Sequence, residues 1–374
     1  MLDLLQNKLN LQDVPFSFPG SRLVLYHYKD KQALYLRLAE RLTKYFPGIE
    51  SYTQRDPFLQ DIQFLGANLQ PLQFSVKASP QQIALQTNLG TLSLYFSDEK
   101  TLCIQFPPHT TIGLSFRFPS CQVQKNSQGG FIQTYRTLTY TTNAALVKNE
   151  VNEQTDGPSL TLLLDTHDAS RLLIHISHKE AALTPSTIVE STPAAAQIKW
   201  QSLFSKIPPV REEYRFTYAY AWWVLFNNMF NPQGHLHYRT LAPSKLNYVG
   251  IWLWDNALHT LALRHADPSL ARDQIRAFLA HQQPNGMLPD AIFDDGLVTH
   301  IDHPFTAPVT KPPILAWAAL KIHELDPDIG FFKEIYEPLT QWNAWWFNEN
   351  DDDHDGYIQY THPVSYTHLT LPTN

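Results

Sequence analysis

The stretch Trp252-Leu-Trp-Asp-Asn-Ala-Leu-His259 decides how the second half of the chain is read. Two indoles and a carboxylate stand at what reads as the mouth of a helix, with a second dense stretch, Gln282-Gln-Pro-Asn-Gly-Met-Leu-Pro-Asp290, downstream. Aromatic faces beside a fixed carboxylate suit a sugar, which offers flat C–H faces and a rim of hydroxyls. The surrounding apolar period is helical. Arg211 to Phe230 carries Tyr214, Tyr218, Ala221, Trp222 and Leu225 on one side, and a second helix is expected from Asn256 to His265. A third starts at Asp267-Pro268, an N-cap followed by proline at the first helical position, with Ala271, Ile275, Phe278 and Leu279 on one face. A fourth is expected from Pro312 (Ile314, Ala318, Ile322), and Asp326-Pro327 leads into a fifth with Phe332, Ile335, Tyr336, Leu339, Trp342 and Trp346. Helices joined alternately by short and long connections predict hairpins around a centre, and the long connection from Gln283 to Thr310 reads as functional.

Upstream the period changes. Ile62-Gln-Phe-Leu-Gly, Gln73-Phe-Ser-Val-Lys, Ile83-Ala-Leu-Gln-Thr, Thr91 to Phe96, Leu102 to Phe106, Leu114 to Phe118 and Leu172 to Ile176 alternate apolar with polar residues between turn formers. Strands without intervening helices predict an antiparallel sandwich, read as a packing platform rather than a carbohydrate-binding surface because no exposed aromatic cluster is evident. Ser21 to His27 alternates like a strand, whereas Lys31 to Tyr45 has a helical look. Ser186 to Gln197, rich in small side chains, reads as a connecting helix or a linker, and residues 186–209 are taken as the linker between a sandwich domain, 1–185, and a helical domain, 210–363.

With 374 residues the chain has room for more than one core. A formal charge of −7 with only 28 Lys+Arg leaves no basic stripe for nucleic acid. Aromatics make up 13% of residues, and eight tryptophans from Trp222 to Trp346 fall after residue 220. Cys103 and Cys121 read as buried free thiols. The start of the chain lacks a basic region followed by an apolar core, and the apolar run Ala219 to Phe226 is far too short to span a bilayer, so a soluble cytoplasmic protein is expected. No oligomeric state is indicated.

Four ordered blocks carry a resemblance: Trp252-Leu-Trp-Asp255 entering a helix, Gln283-Pro-Asn-Gly-Met-Leu-Pro289, Lys311-Pro-Pro-Ile, and Trp342-Asn-Ala-Trp-Trp-Phe followed by Asp-x-Asp-Gly-Tyr-Ile-x-Tyr-Thr-His-Pro363. Together they resemble glycoside hydrolase family 63, in particular its bacterial mannosylglycerate hydrolase and α-glucosidase-like members, related to trehalase and glucoamylase. The resemblance covers roughly residues 210–363. It implies an (α/α)6 barrel behind the β-sandwich, a saccharide substrate, no cofactor, and substrate contacts from Trp252, Trp254 and Asp255. Asp255 also reads as a helix N-cap with both indoles in the core, although two indoles beside a cap favour the pocket. Gln283 and Asn285 stand as sugar contacts or as a turn. Lys311 occupies a position that is often Gln in the family, so it reads as a bridge to an anionic group or as a solvated helix start.

The implied chemistry needs two carboxyl groups flanking the scissile bond, roughly 6.5–9.5 Å apart in an inverting enzyme. In the family the acid follows the His-Pro that closes the resemblance and the base lies far downstream, so no catalytic residue is assigned here. Asp290, Asp294, Asp295 and Asp302 in the long loop could in principle supply one acid, although acidic loops are usually solvated and that is the reading expected for them. After His362-Pro363 the chain continues Val364-Ser-Tyr-Thr-His-Leu-Thr-Leu-Pro-Thr-Asn374, which reads as translated sequencing adaptor, so an incomplete barrel is expected. Such a fragment is expected to be inactive and poorly soluble, with apolar faces at Trp345 and Trp346 uncovered. Asp351-Asp-Asp-His-Asp355-Gly356 resembles half of a calcium loop, but His362 stands where the bidentate Glu belongs, and a charged turn is the expected outcome. Glycoside phosphorylases, sugar epimerases and a non-catalytic sugar-binding protein remain alternatives on the same barrel.

Overall fold

Alternating apolar and polar residues in the first half of the chain form strands that bury one face, and in some, such as Thr101–Gln105 and Thr137–Thr142, the other face is covered as well. The computed structural model describes residues 1–28, 31–41, 56–119, 122–153, 155–183, 185–246, 248–301, 307–351 and 354–358. The chain divides into two compact units, Met1–Ala39 with Arg55–Ser205 and Pro209–Asn227, and Glu40–Gln54 with Lys206–Pro208 and Asn228–Asn374.

The first unit contains two antiparallel sheets. One runs in the order β1 (Phe16–Ser17), β2 (Leu23–Tyr28), β3 (Ala33–Leu38), β4 (Leu59–Leu65), β9 (Thr111–Arg117), β14 (Ser159–Asp165), β13 (Ala145–Asn152). The other runs β10 (Gln122–Asn126), β11 (Gly129–Gln133), β12 (Thr137–Thr142), β15 (Arg171–Ser177), β8 (Thr101–Gln105), β7 (Gly90–Phe96), β6 (Gln82–Thr87), β5 (Ser75–Ser79). Phe16 of β1 stacks on Phe96 of β7 at 5.6 Å, and the Tyr140 hydroxyl of β12 donates to Asn149 Oδ1 of β13 at 2.9 Å, tying the sheets together. The helical look of Lys31 to Tyr45 is corrected for its described part. Ala33–Leu38 pairs along its length with β2, because alternate leucines on a strand reach a buried face as well as a helical stripe would. Residues 42–45 lie outside the described ones.

Helices complete this unit. The segment read as a linker contains α1 (Pro185–Glu190) and α2 (Ala194–Phe204). Ile188 of α1 packs on Tyr95, Cys103 and Leu173, and the Tyr95 hydroxyl donates to Ser191 O at 3.0 Å. Cys103 is a free thiol whose pKa burial pushes up to about 11; Cys121 lies outside the described residues. α3 (Arg215–Asn227) joins this unit through aromatic contacts, Phe226 lying 6.4 Å from Phe204.

The second unit is built on α4 (Leu253–Leu263), α5 (Pro268–Leu279), α6 (Leu315–His323) and α7 (Ile329–Glu349). The Asp267 carboxylate caps α5 by accepting from Leu270 N at 3.1 Å, and Asp328 caps α7 by accepting from Phe331 N at 2.9 Å. Arg276 forks onto Glu334 with two 2.7 Å bonds, joining α5 to α7, and Arg264 Nη1 donates to Lys321 O of α6 at 2.6 Å. The expected uncovered faces at Trp345 and Trp346 are not found. Both indoles are buried edge-to-face at 5.1 Å, and exposed apolar surface falls instead on Trp317, Leu320, Ile329 and Tyr336. No helix among the described residues is long and apolar enough to cross a membrane.

The Pro284-Asn-Gly turn is clamped to α7. Gly286 has φ +96°, and an added Cβ would lie 2.5 Å from Gln341 O, while Gln282 Nε2 donates to Pro338 O at 2.7 Å. Gly286→Ala is therefore expected to destabilise this unit by about 2 kcal/mol or more, because it combines left-handed strain with a backbone collision. Urea unfolding followed by tryptophan fluorescence measures it, and an unchanged midpoint would refute the clamp.

Candidate functional site

The described parts of the long connection after Gln283, residues 283–301 and 307–310, include short paired strands, and these build the candidate site. β16 (Ile251–Trp252), β17 (Ala291–Phe293) and β18 (Gly296–Val298) form a small antiparallel sheet in which Trp252 faces Ala291. Extended Trp252 (φ −95°, ψ 136°) occupies the N-cap position of α4 with no side-chain cap bond, and Leu253 N donates to Asp290 O at 3.1 Å. Asp255 is thus the third helical residue, not the cap. The helix N-terminus favours a carboxylate in this first turn.

Trp252 is 5% exposed and packs with Ala291, Phe293, Val298 and Val309. Tyr248 lies flat over it at 4.7 Å and 9°, 42% exposed, and forms the open face of the stack. Gly250 is needed for this close approach, since a Cβ there would lie 2.6 Å from Phe293 Cζ and 2.9 Å from Trp252 Nε1. Trp254 is half-buried and its Nε1 donates to Pro312 O at 3.4 Å. Under the aromatic stack Lys311 Nζ lies 2.9 Å from Asp290 Oδ1 and 5.8 Å from the Trp252 ring centre. Both members of the ion pair are buried. The solvated helix start expected at Lys311 is therefore corrected: α6 begins at Leu315, and Lys311 bridges an anionic group supplied by the chain itself. Asp290 is likewise not a solvated loop acid, because its backbone is pinned between Leu253 N and Val298 O. Asp294 and Asp295 do sit near the surface, and Asp302 lies outside the described residues.

Asp255 is half-buried, and among the described residues its carboxylate accepts only from its own backbone N–H. Burial raises its pKa above the usual carboxylate range, opposed by that N–H and by the Lys311 charge. Tyr248 is pushed up to about 12 by burial and then by the charges of Asp255 and Asp290. These dependences place Tyr248, Asp255, Asp290 and Lys311 in one electrostatic group, with one lysine against two carboxylates. Tyr248 carries no local signal and Asp290 looks like a solvated loop acid; the pairing of Trp252 with Ala291 is what recruits both. Nearby on α4, burial lowers His259 to about 4, so its ring is neutral at physiological pH, with Nδ1 3.2 Å from Asn256 Oδ1.

The Gln283–Met287 segment is a turn. Gly286 N donates to Gln283 O at 2.9 Å, and Asn285 Oδ1 accepts from Met287 N at 3.1 Å. No hydrogen bond or ring contact joins Gln283 or Asn285 to the Tyr248–Lys311 group among the described residues. The Asp351 carboxylate accepts from Asp355 N at 3.1 Å and Gly356 N at 3.0 Å, closing a turn, and no described cluster of His, Cys, Asp and Glu is placed to hold a metal.

Residues 248–369, which contain this whole group, match the family described as the Mannosylglycerate hydrolase MGH1-like glycoside hydrolase domain. Mannosylglycerate hydrolase MGH1 of Selaginella moellendorffii is 24% identical over 135 residues, 32% of this chain and 28% of that protein. Mannosylglycerate hydrolase of Thermus thermophilus is 24% identical over 138 residues, 33% of each protein. The matched region thus spans about a third or less of these relatives. Among solved structures, a putative kojibiose phosphorylase from the human microbiome has a TM-score of 0.54 at 11% identity, covering 93% of this chain and 58% of that one. A family GH92 inverting mannosidase from Bacteroides thetaiotaomicron has a TM-score of 0.50 at 12% identity, covering 87% and 54%. At such identities the structural likeness speaks for the fold alone, antiparallel sheets followed by helices. The sequence matches support a glycoside hydrolase family for the stretch that carries the site.

The raised Asp255 pKa gives a signed prediction. As pH rises from 3.8 through the higher folded value, the folded state retains a proton that the unfolded chain has lost, so stability falls. Asp255→Asn removes that loss and is expected to raise the unfolding midpoint at pH 7 by about 2–4 °C, with the difference vanishing in acid. Thermal unfolding across pH checks this; a lower midpoint at pH 7 would contradict it.

Proposed function

We propose that this chain carries the substrate-holding part of a glycosidase that cleaves α-linked glucosides or mannosides by an inverting acid/base mechanism, within family 63 and an (α/α)6 barrel. The observation that carries the reading is the Tyr248–Trp252 stack beside the half-buried, acceptor-rich Asp255. A ring's C–H face lies on Tyr248, with Trp252 beneath it and Trp254 alongside. Asp255 accepts from two sugar hydroxyls, an arrangement that a fixed anion in a partly dry site makes specific. Gln283 and Asn285 border the saccharide, and Lys311 holds the floor through Asp290. Mannosylglycerate hydrolases among the relatives favour a hydrolase over the other reactions built on such barrels. The pairing of Lys311 with Asp290 also argues against a phosphate pocket at this spot, as a phosphorylase would need.

In this reading the general acid and base belong to residues beyond Pro363 of a longer protein, and 364–374 are not native. The site operates in a soluble cytoplasmic enzyme. The test compares the 374-residue chain with a version extended by the uninterrupted gene, using aryl α-glucosides and α-mannosides. The extended enzyme is expected to cleave one of them, the shorter chain neither, and Asp255→Asn in the extended enzyme to lower kcat/KM about 10- to 100-fold. Hydrolysis by the shorter chain, or full activity in the Asn variant, would overturn the assignment.

A further inference from the structure

Side-chain-bearing residues seldom adopt left-handed backbone; aspartate does so more readily than most, whereas a bulky leucine does so rarely. Asp61 (φ 49°) and Leu69 (φ 61°) both do, and both line one groove of about 470 Å³ on the seven-stranded sheet. Asp61 sits in a β-bulge: Gln60 faces Arg117 of β9 while Gln63 faces Ser115, so β4 carries one extra residue. A second bulge lies in β13, where Leu146 faces Leu164 and Lys148 already faces Leu163. Paired bulges and strained residues around a single depression are devices that re-aim side chains, and they concentrate at binding sites.

The groove's chemistry is balanced. Arg117 Nε donates to Asp61 Oδ2 at 2.9 Å, the Tyr35 hydroxyl also donates to Asp61, and Lys148 pairs with Glu150 at 3.0 Å. Each cation therefore already has its carboxylate, which disfavours an anion as the occupant. Gln63, Ser115 and Thr161 line the floor and make no side-chain hydrogen bond among the described residues, so they offer both donors and acceptors. Ser115 faces Thr161 and Gln63 across the strands, and Arg117 faces Ser159 two residues on. Such a grid repeats at about 4.8 Å across strands and about 7 Å along them, the scale of a pyranose ring and its hydroxyls. Leu65, Leu69 and Pro71 supply an apolar wall at one end.

We propose that this groove is a second, non-catalytic saccharide site that takes a neutral mono- or disaccharide, edge hydroxyls on the Gln63–Ser115–Thr161 row and a C–H face against Leu69. It does not depend on the Asp255 site. The 374-residue chain is titrated with maltose, α-mannobiose and inorganic phosphate, and amide hydrogen exchange is mapped with and without each. A disaccharide is expected to slow exchange in β4, β9 and β14. Thr161→Trp, which fills the groove, should weaken that binding at least tenfold, while Asp255→Asn leaves it unchanged. Should the Trp variant not fold, Ser115→Leu serves, and the wild-type exchange map stands by itself. Protection confined to residues 248–293, binding of phosphate alone, or no binding would overturn the proposal.

Discussion

The second unit depends on one buried ion pair. Lys311 and Asp290 lie 2.9 Å apart beneath Trp252, far from the solvation that each charge would have in the unfolded chain. Removing both charges from water is costly, and their attraction offsets this only when geometry and further polar contacts are good. Here Asp290 is also where the chain passes from the Gln283–Met287 turn into β17, its carbonyl accepting from the first residue of α4 and its N–H donating to Val298 O. One residue therefore fixes the start of α4, the register of the small sheet and the position of the lysine. Asp255, two residues further along the first turn of α4, takes its place from that anchor, and so does the Tyr248 ring stacked on Trp252.

The anchor explains why an acid so near a helix start is held above its usual pKa instead of below it. Burial outweighs the helix terminus and the Lys311 charge, because that charge is largely answered by Asp290. The result is a carboxylate biased toward protonation and short of protein donors, which under the proposed function is the state that a hydroxyl-rich ligand relieves. Stability given up at a site in this way is a common companion of binding.

Much of this was legible in the residues and some was not. Asp267-Pro268 marked the start of α5 because cap and first-turn proline leave few alternatives, and the regular alternation of the β segments foretold antiparallel sheets. The Ala33–Leu38 strand was misread because its leucines suit either period, and only pairing with β2 decides. Small residues after Ser186 fit a connecting helix or a linker alike, and it is the burial of Ile188 and Trp200 that holds α1 and α2 in the first unit. The blocks around Trp252 and Gln283 were visible as candidate site residues, but Tyr248 and the Asp290–Lys311 pair were not. Their roles depend on a strand pairing that closes a long connection, and no local spacing encodes it. Loop acids and lysines look solvated until tertiary structure buries them together.

The most direct test is a double-mutant cycle on the ion pair, with Lys311→Met, Asp290→Leu and the double variant, read as unfolding free energy in urea. Each single change should cost about 3–5 kcal/mol by stranding a buried charge, and the double change should cost much less than their sum, a coupling of about 2 kcal/mol or more. Strictly additive losses would mean that the pair does not anchor the site, and the account of Trp252, Tyr248 and Asp255 as one assembled pocket would fall with it.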